Sequence, residues 1–236
     1  MVVKRALAEP AQRPNQPSSQ ARRGTGYATL TERAYHELEE LIVTLELPPG
    51  TVLSEQVLAQ RLNIGRTPIR EALQRLARDG LVVVLPRRGI LVSAINLETQ
   101  LRLLEVRREL ERLQTRRAAD HATQDERTDF ADLARDMLRA ASDNDDKEFM
   151  RLDQRFNTLV SQAAHNEFAA RAMGLMHGLS RRFWYQHYQQ VADLPLAARL
   201  HAEVADAIAR KNGDEAANAS DRLVDYIESF ARQTIG

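Results

Sequence analysis

The chain has no cysteine in its 236 residues, which excludes disulfides and thiolate metal sites and fits a reducing cytoplasm. It has no surplus of either charge: 33 Lys and Arg face 33 Asp and Glu. The overall balance therefore carries no bias toward nucleic acid. There is no run of about 18 apolar residues, so no membrane span is expected, and the N-terminus lacks an apolar stretch of signal-peptide type. H-E-x-x-H, a phosphate loop and a recognisable nucleophile motif are missing as well. What is there is an ordinary 43% of hydrophobic residues, in a chain long enough for one large or two small domains.

Against that background residues 54–92 stand out: SEQVLAQRLNIGRTPIREALQRLARDGLVVVLPRRGILV. Val57, Leu58 and Leu62 predict the buried face of a first short helix, with Ser54 as its cap. Asn63-Ile64-Gly65 breaks it. Ile69, Leu73 and Leu76 then line one face of a second helix, with Pro68 in its first turn and Gly80 at its end. Two helices around so short a turn form a helix-turn-helix, whose second helix enters a DNA major groove. Its polar side offers Arg66, Thr67, Arg70 and Gln74. Arg can grip guanine O6 and N7 with two parallel bonds, and Gln can do the same to adenine. Thr67 and the free amides at the helix start suit a phosphate.

From position 61 to 88 seven Arg (61, 66, 70, 75, 78, 87 and 88) face Glu71 and Asp79, a local excess of five. Phosphate contacts dominate DNA affinity, so this local excess outweighs the neutral total. Residues 81–85 and 90–92 are rich in β-branched side chains around Pro86-Arg87-Arg88-Gly89. They predict a two-stranded wing with two Arg at its tip. These residues resemble the winged helix-turn-helix of the GntR transcription regulators over 30–95. R-T-P-x-R-E-A-L-x-R-L-x-x-x-G-L followed by R-R-G is similar to that family's signature. The resemblance implies that Arg66, Thr67, Arg70, Arg88 and Gly89 contact double-stranded operator DNA.

In chain order, residues 1–27 read as a disordered arm, polar and broken by Pro and Gly. The arm holds Lys4, Arg5, Arg13, Arg22 and Arg23 against Glu9, and reads equally as an aid to DNA attraction or a solvated tail. Residues 30–46 predict a helix, and Thr51-Val52-Leu53 a short strand. The winged domain is expected over 28–95, with a linker at Ser93–Asn96. After residue 97 no strand pattern survives. Apolar residues recur at helical spacing through 98–118, 125–141, 145–164, 166–190, 195–211 and 214–233, an all-α bundle over 97–236. The fold class expected is therefore mostly α: a winged helix-turn-helix, then a helical bundle.

In the bundle, LLEVRRELERLQTRRAA (103–119), LDQRFNTLVSQAAHNEF (152–168) and LHAEVADAIARKNGDEAANA (200–219) are similar to the FCD-type effector domain of the FadR-like branch. That resemblance implies a homodimer whose bundle binds a small molecule, commonly an organic acid, sometimes through a metal such as Zn²⁺. It places the family's metal positions on Asp153, Asn157, His201 and Tyr226, or Asp225 if the register slips. Two of the usual His are thus replaced, which leaves Asp153 and His201 as the metal donors. His201 reads equally as a buried imidazole bonded to Asp153 or Tyr226. Arg107 resembles an Arg that such domains direct inward, where it wants a carboxylate from protein or ligand. Ser180 to Tyr188, with the only Trp, reads either as an effector wall or as a core or dimer seam. The leading expectation is a cytoplasmic, ligand-responsive transcriptional regulator, a repressor rather than an enzyme. Its alternatives are an all-α metal-dependent enzyme with a nucleic-acid-binding domain, and a ligand-independent architectural DNA binder.

Overall fold

The computed structural model describes residues 29–87 and 89–234. The arm at 1–27 and Arg88 lie outside the described residues. Helix α1 (Leu30–Val43) begins at a reciprocal cap: the Glu32 amide donates to the Thr29 hydroxyl, and the Thr29 amide to the Glu32 carboxylate. It ends short of the expected residue 46, because Leu45 turns left-handed at φ 64. Helices α2 (Glu55–Leu62) and α3 (Arg66–Arg78) follow, separated by Asn63, also left-handed at φ 52. Leu58 is buried but Val57 is 59% exposed, which corrects the expected face of α2. Leu58 points into the core, and Val57, about 100° round the helix, points to solvent.

Strands β1 (Val52–Leu53), β2 (Val82–Leu85) and β3 (Gly89–Val92) form a sheet in the order β1-β3-β2, with both pairings antiparallel. Leu85 faces Gly89, so the wing turns tightly, and Gly89 takes φ 93, which a residue without Cβ adopts without strain. Leu38 and Ile42 of α1 meet Ile69, Leu73 and Leu76 of α3 in the core of this head, with Leu81 and Val92 closing it.

The second half is helical: α4 (Leu97–His121), α5 (Gln124–Asp143), α6 (Asp146–Ala163), α7 (Glu167–Val191), α8 (Leu194–Ala209) and α9 (Gly213–Gln233). Every one starts at an Asn, Thr or Asp whose side chain accepts an amide of the first turn. Each such side chain satisfies a first-turn amide that the helix itself leaves unpaired. Helix α8 packs on α5 and α9, and α4 on α9. Ala197, Ala198, Ala202, Ala205 and Ala207 of α8 are all buried, so its neighbours approach closely. Phe130, Leu133 and Met137 of α5 and Leu152 of α6 fill the spaces left. The fold is mostly α, a winged head followed by a helical bundle, as the sequence predicts. Among the described residues no helix is long and apolar enough to cross a membrane.

Candidate functional site

Helix α3 buries Ile69, Ala72, Leu73 and Leu76 and leaves Arg66, Thr67, Arg70 and Gln74 exposed. At the wing Arg87 and Gly89 are exposed too. The helix is held at its C-terminal end, where the buried Tyr35 hydroxyl of α1 donates to Asp79 Oδ2 at 2.8 Å. The Arg75 guanidinium lies 3.9 Å over the same ring. Arg70 is not idle: its Nε and Nη2 donate to the two carboxylate oxygens of Glu55, at 2.9 and 2.8 Å. That bond holds the Glu55 carboxyl below its usual range. The sequence pattern shows Arg70 but not this partner on α2.

In the bundle, Arg107, Asp153, Asn157, His201 and Tyr226 line one cavity of about 60 Å³. They reach it from α4, α6, α8 and α9. Arg107 Nε donates to Glu111 Oε1 at 2.7 Å, and its Nη1 donates to the Ser180 hydroxyl. Gln100 Nε2 donates to that hydroxyl as well, at 3.1 Å. His201 lies with Nδ1 2.7 Å from the Ala197 carbonyl and Nε2 3.0 Å from Asp153 Oδ1, its ring edge-on to Phe149 and Phe156. Both ring nitrogens face acceptors, so both contacts are hydrogen bonds only when the ring carries two protons. Burial pushes the Asp153 carboxyl up, but the His201 bond and the charges of His201 and Arg181 outweigh it and hold it below the usual range.

The donor set does not make a metal centre from protein alone. Asn157 donates its amide N–H to the Asp153 carbonyl and carboxylate, at 2.9 and 3.1 Å, and its remaining amide oxygen suits a hard cation better than Zn²⁺. Tyr226 spends its hydroxyl on the backbone of Asp193, donating to the carbonyl at 2.9 Å and accepting from the amide at 3.0 Å. Asp225, the alternative position, pairs with Arg108 at 2.7 Å. Among the described residues no three His, Cys, Asp or Glu converge as metal ligands. Asp153 and His201 are two donors, and Zn²⁺ takes four.

The aromatic segment divides by helix face. Phe183, Trp184 and Tyr185 line the cavity, and Trp184 and Phe183 also pack on Phe230. Arg181 lines the cavity while its Nη2 donates to Glu40 of α1 at 3.2 Å. Arg182 is 2% exposed and turns the other way, into the joint between head and bundle. Its Nη1 donates to the Ser93 carbonyl at 3.1 Å and its Nη2 to the Ser93 hydroxyl at 2.9 Å. Longer bonds reach the Leu81 and Ala94 carbonyls. Burial pulls this guanidinium down to about 10, so it stays charged at neutral pH. One turn back, a Cβ on Gly178 would stand 2.9 Å from Leu81 Cδ1 and 3.0 Å from Glu39 Oε1, so the glycine permits the close approach of α7 to the head.

Gln100, Glu111, Gln114 and His177 border this cavity or the space beside it and are absent from the sequence-based site, where Ser180 appears only at the edge of the aromatic segment. A signal existed: Gln100, Leu104, Arg107, Glu111, Gln114 and Ala118 step by three or four along α4, a polar set on the buried stripe.

Comparison with known proteins agrees with this architecture. Residues 30–92 match the family described as bacterial regulatory proteins, gntR family, and residues 102–226 match the FCD domain. The HTH-type transcriptional repressor RspR of Escherichia coli (strain K12) is 26% identical over 204 residues, 86% of this chain and 90% of that one. The Nta operon transcriptional regulator of Aminobacter aminovorans is 26% identical over 180 residues, 75% of this chain and 82% of that one. Among solved structures, E. coli McbR/YncC superposes with a TM-score of 0.77 at 17% identity, covering 89% of this chain and 100% of that one. A GntR regulator from Rhodococcus sp. RHA1 gives 0.63 at 23%, covering 87% and 97%. At such identities the two structures speak for the fold alone. The two family matches, on a winged head and a helical bundle built as described, make this chain a member of the gntR family of bacterial regulatory proteins, a helix-turn-helix transcription regulator carrying an FCD domain.

Proposed function

We propose that the protein is a homodimeric repressor that grips double-stranded operator DNA with α3 and the wing and is released or tightened by a small organic acid in the bundle. The observation that carries the ligand response is the double duty of α7. One side of that helix walls the cavity with His177, Ser180 and Trp184; the adjacent side docks the head through Gly178, Leu179 and Arg182. Arg181 belongs to both, bordering the cavity and bonding Glu40 of α1. An acid that draws on Arg107 and Arg181 competes with Glu40 for the second of these. It thereby favours one arrangement of head on bundle, which is what a ligand must do to shift an equilibrium.

The name repressor belongs to RspR and supports repression here. Large apolar side chains seven residues apart on α7, Phe168 at 72% and Leu175 at 51% exposed, support a second copy as partner. A monomer by light scattering at micromolar concentration, with and without DNA, would remove the dimer. A divalent metal would have to draw its further donors from the ligand. The enzyme reading is weaker, because Asp153 and His201 bond one another.

The test is gel-shift binding to the DNA upstream of the chain's own gene, with and without a panel of short organic acids. Arg107→Ala should keep operator affinity and lose the acid effect. An unaltered acid effect in that variant would move the sensing site elsewhere. No acid effect even in the wild type would favour the architectural, ligand-independent reading.

A further inference from the structure

The cavity does not end at Arg107. Behind it a smaller chamber of about 20 Å³ opens between α4, α6, α7, α8 and α9, with Glu111, Gln114, Thr115 and Ser220 in its walls. Arg107, Asn157, His177 and His201 border both spaces, so the chamber lies directly behind the larger cavity.

Two polar atoms on this chamber have no hydrogen-bond partner among the described residues: Gln114 Nε2 and His177 Nε2. Gln114 is 3% exposed, and neither nitrogen is open to solvent. Three of the surrounding groups are already engaged. The Thr115 hydroxyl donates to the Glu111 carbonyl at 2.8 Å, the Glu111 carboxylate is held by Arg107, and the Asn157 amide is turned to Asp153. A buried polar nitrogen without a partner is destabilising on the scale of a whole hydrogen bond, so two in one small space mark a place built to be filled. Burial, with Arg107 nearby, pulls the His177 imidazole down to about 4. The ring is therefore neutral at neutral pH and able to donate or accept. A water-sized group needs roughly 10–15 Å³, so the chamber holds about one oxygen and the outer cavity about four to six such groups.

We infer that the inner chamber is an oxygen-binding subsite and that the effector is a short hydroxy or oxo acid. Its carboxylate lies in the outer cavity between Arg107 and Arg181, and its hydroxyl or carbonyl oxygen accepts from Gln114 Nε2 beside His177. This rests on the acid-binding reading of the outer cavity and adds the second functional group the ligand carries. The amide does the discriminating: an acid lacking the oxygen leaves Gln114 unpaired and is rejected.

Calorimetric titration of the full chain with butyrate, 2-hydroxybutyrate and 3-hydroxybutyrate tests this. Wild type should bind one of the hydroxy acids roughly tenfold or more tighter than butyrate. Gln114→Leu should bring the two within about twofold, since the bond to the hydroxyl and the penalty of an unpaired amide are lost together. Gln114→Met reads the same difference if the Leu variant is insoluble. Equal binding of the acids by wild type, or a preference that survives in the variants, overturns the subsite alone. A more stable Gln114→Leu with unaltered preference assigns the chamber to an ordered water and overturns it as well. If none of the acids binds, the acid-binding reading falls and takes the subsite with it.

Discussion

Helix α3 in the head turns its polar residues outward, whereas helix α4 in the bundle carries polar residues on its inward side as well. On α3 the apolar Ile69, Leu73 and Leu76 turn inward and Arg66, Arg70 and Gln74 meet solvent. On α4 the inward stripe itself contains Gln100, Arg107, Glu111, Gln114 and Thr115, while Val106 and Leu113 are exposed. An outward polar face can meet a large partner, such as a duplex, without disturbing any core. An inward polar face is expensive unless each group is matched, and the matching partner can be a small molecule. The two helices therefore show where each kind of recognition takes place, and α7 lies between them.

The largest effect should come from cutting the joint between the two regions. Arg182→Ala leaves several buried carbonyls without a donor and should cost on the order of 3 kcal/mol. Chemical denaturation should then resolve head and bundle as two transitions. One unsplit transition with nearly wild-type stability would mean the two regions are held by something other than this residue.

Next in size is acid sensitivity confined to the bundle. Between its ordinary value of 6.5 and about 4, His177 takes a proton in the unfolded chain and refuses it in the folded one. The unfolded state binds more protons in that window, so stability falls as pH falls through it, by about 3 kcal/mol at most. Melting temperature followed against pH should show this slope in wild type and a flatter one in His177→Leu. An identical slope in both would place the sensitivity on another group.

The smallest effect is in the head and leaves stability aside. Arg70→Ala should weaken operator binding roughly ten- to a hundredfold if the guanidinium reads a base. Binding to scrambled DNA should change little. Equal loss on both sequences reduces Arg70 to a phosphate contact, and no loss on either puts α3 outside the groove.

The head was legible because its signals are local. Ser54, Asn63, Pro68 and Gly80 punctuate two short helices within a few residues of where the structure starts and stops them. The exception, Val57, came from grouping neighbours that a helix sends in different directions. In the bundle the helices were equally legible from their apolar spacing, and the resemblance brought Asp153, Asn157, His201 and Arg107 together. What it missed depends on contacts across large separations. Ser180 matters because it meets Arg107 and Gln100, 73 and 80 residues away. Arg181 and Arg182 look alike in sequence, yet one residue of helical rotation sends the first to the cavity and the second to Ser93.

The bond from Glu55 to Arg70 bears on how tightly the head holds DNA as ionic conditions change. Salt weakens DNA binding because phosphates shed condensed cations when protein charges replace them, and the slope counts the phosphates neutralised. Arg70 already has a resident carboxylate as counterion. If it keeps Glu55 while touching a base edge, it orients the readout but contributes nothing to that slope. Operator occupancy then falls less steeply with rising salt than the arginine content of residues 61–87 suggests. The protein would keep its site through osmotic swings that strip a more nakedly basic binder from DNA.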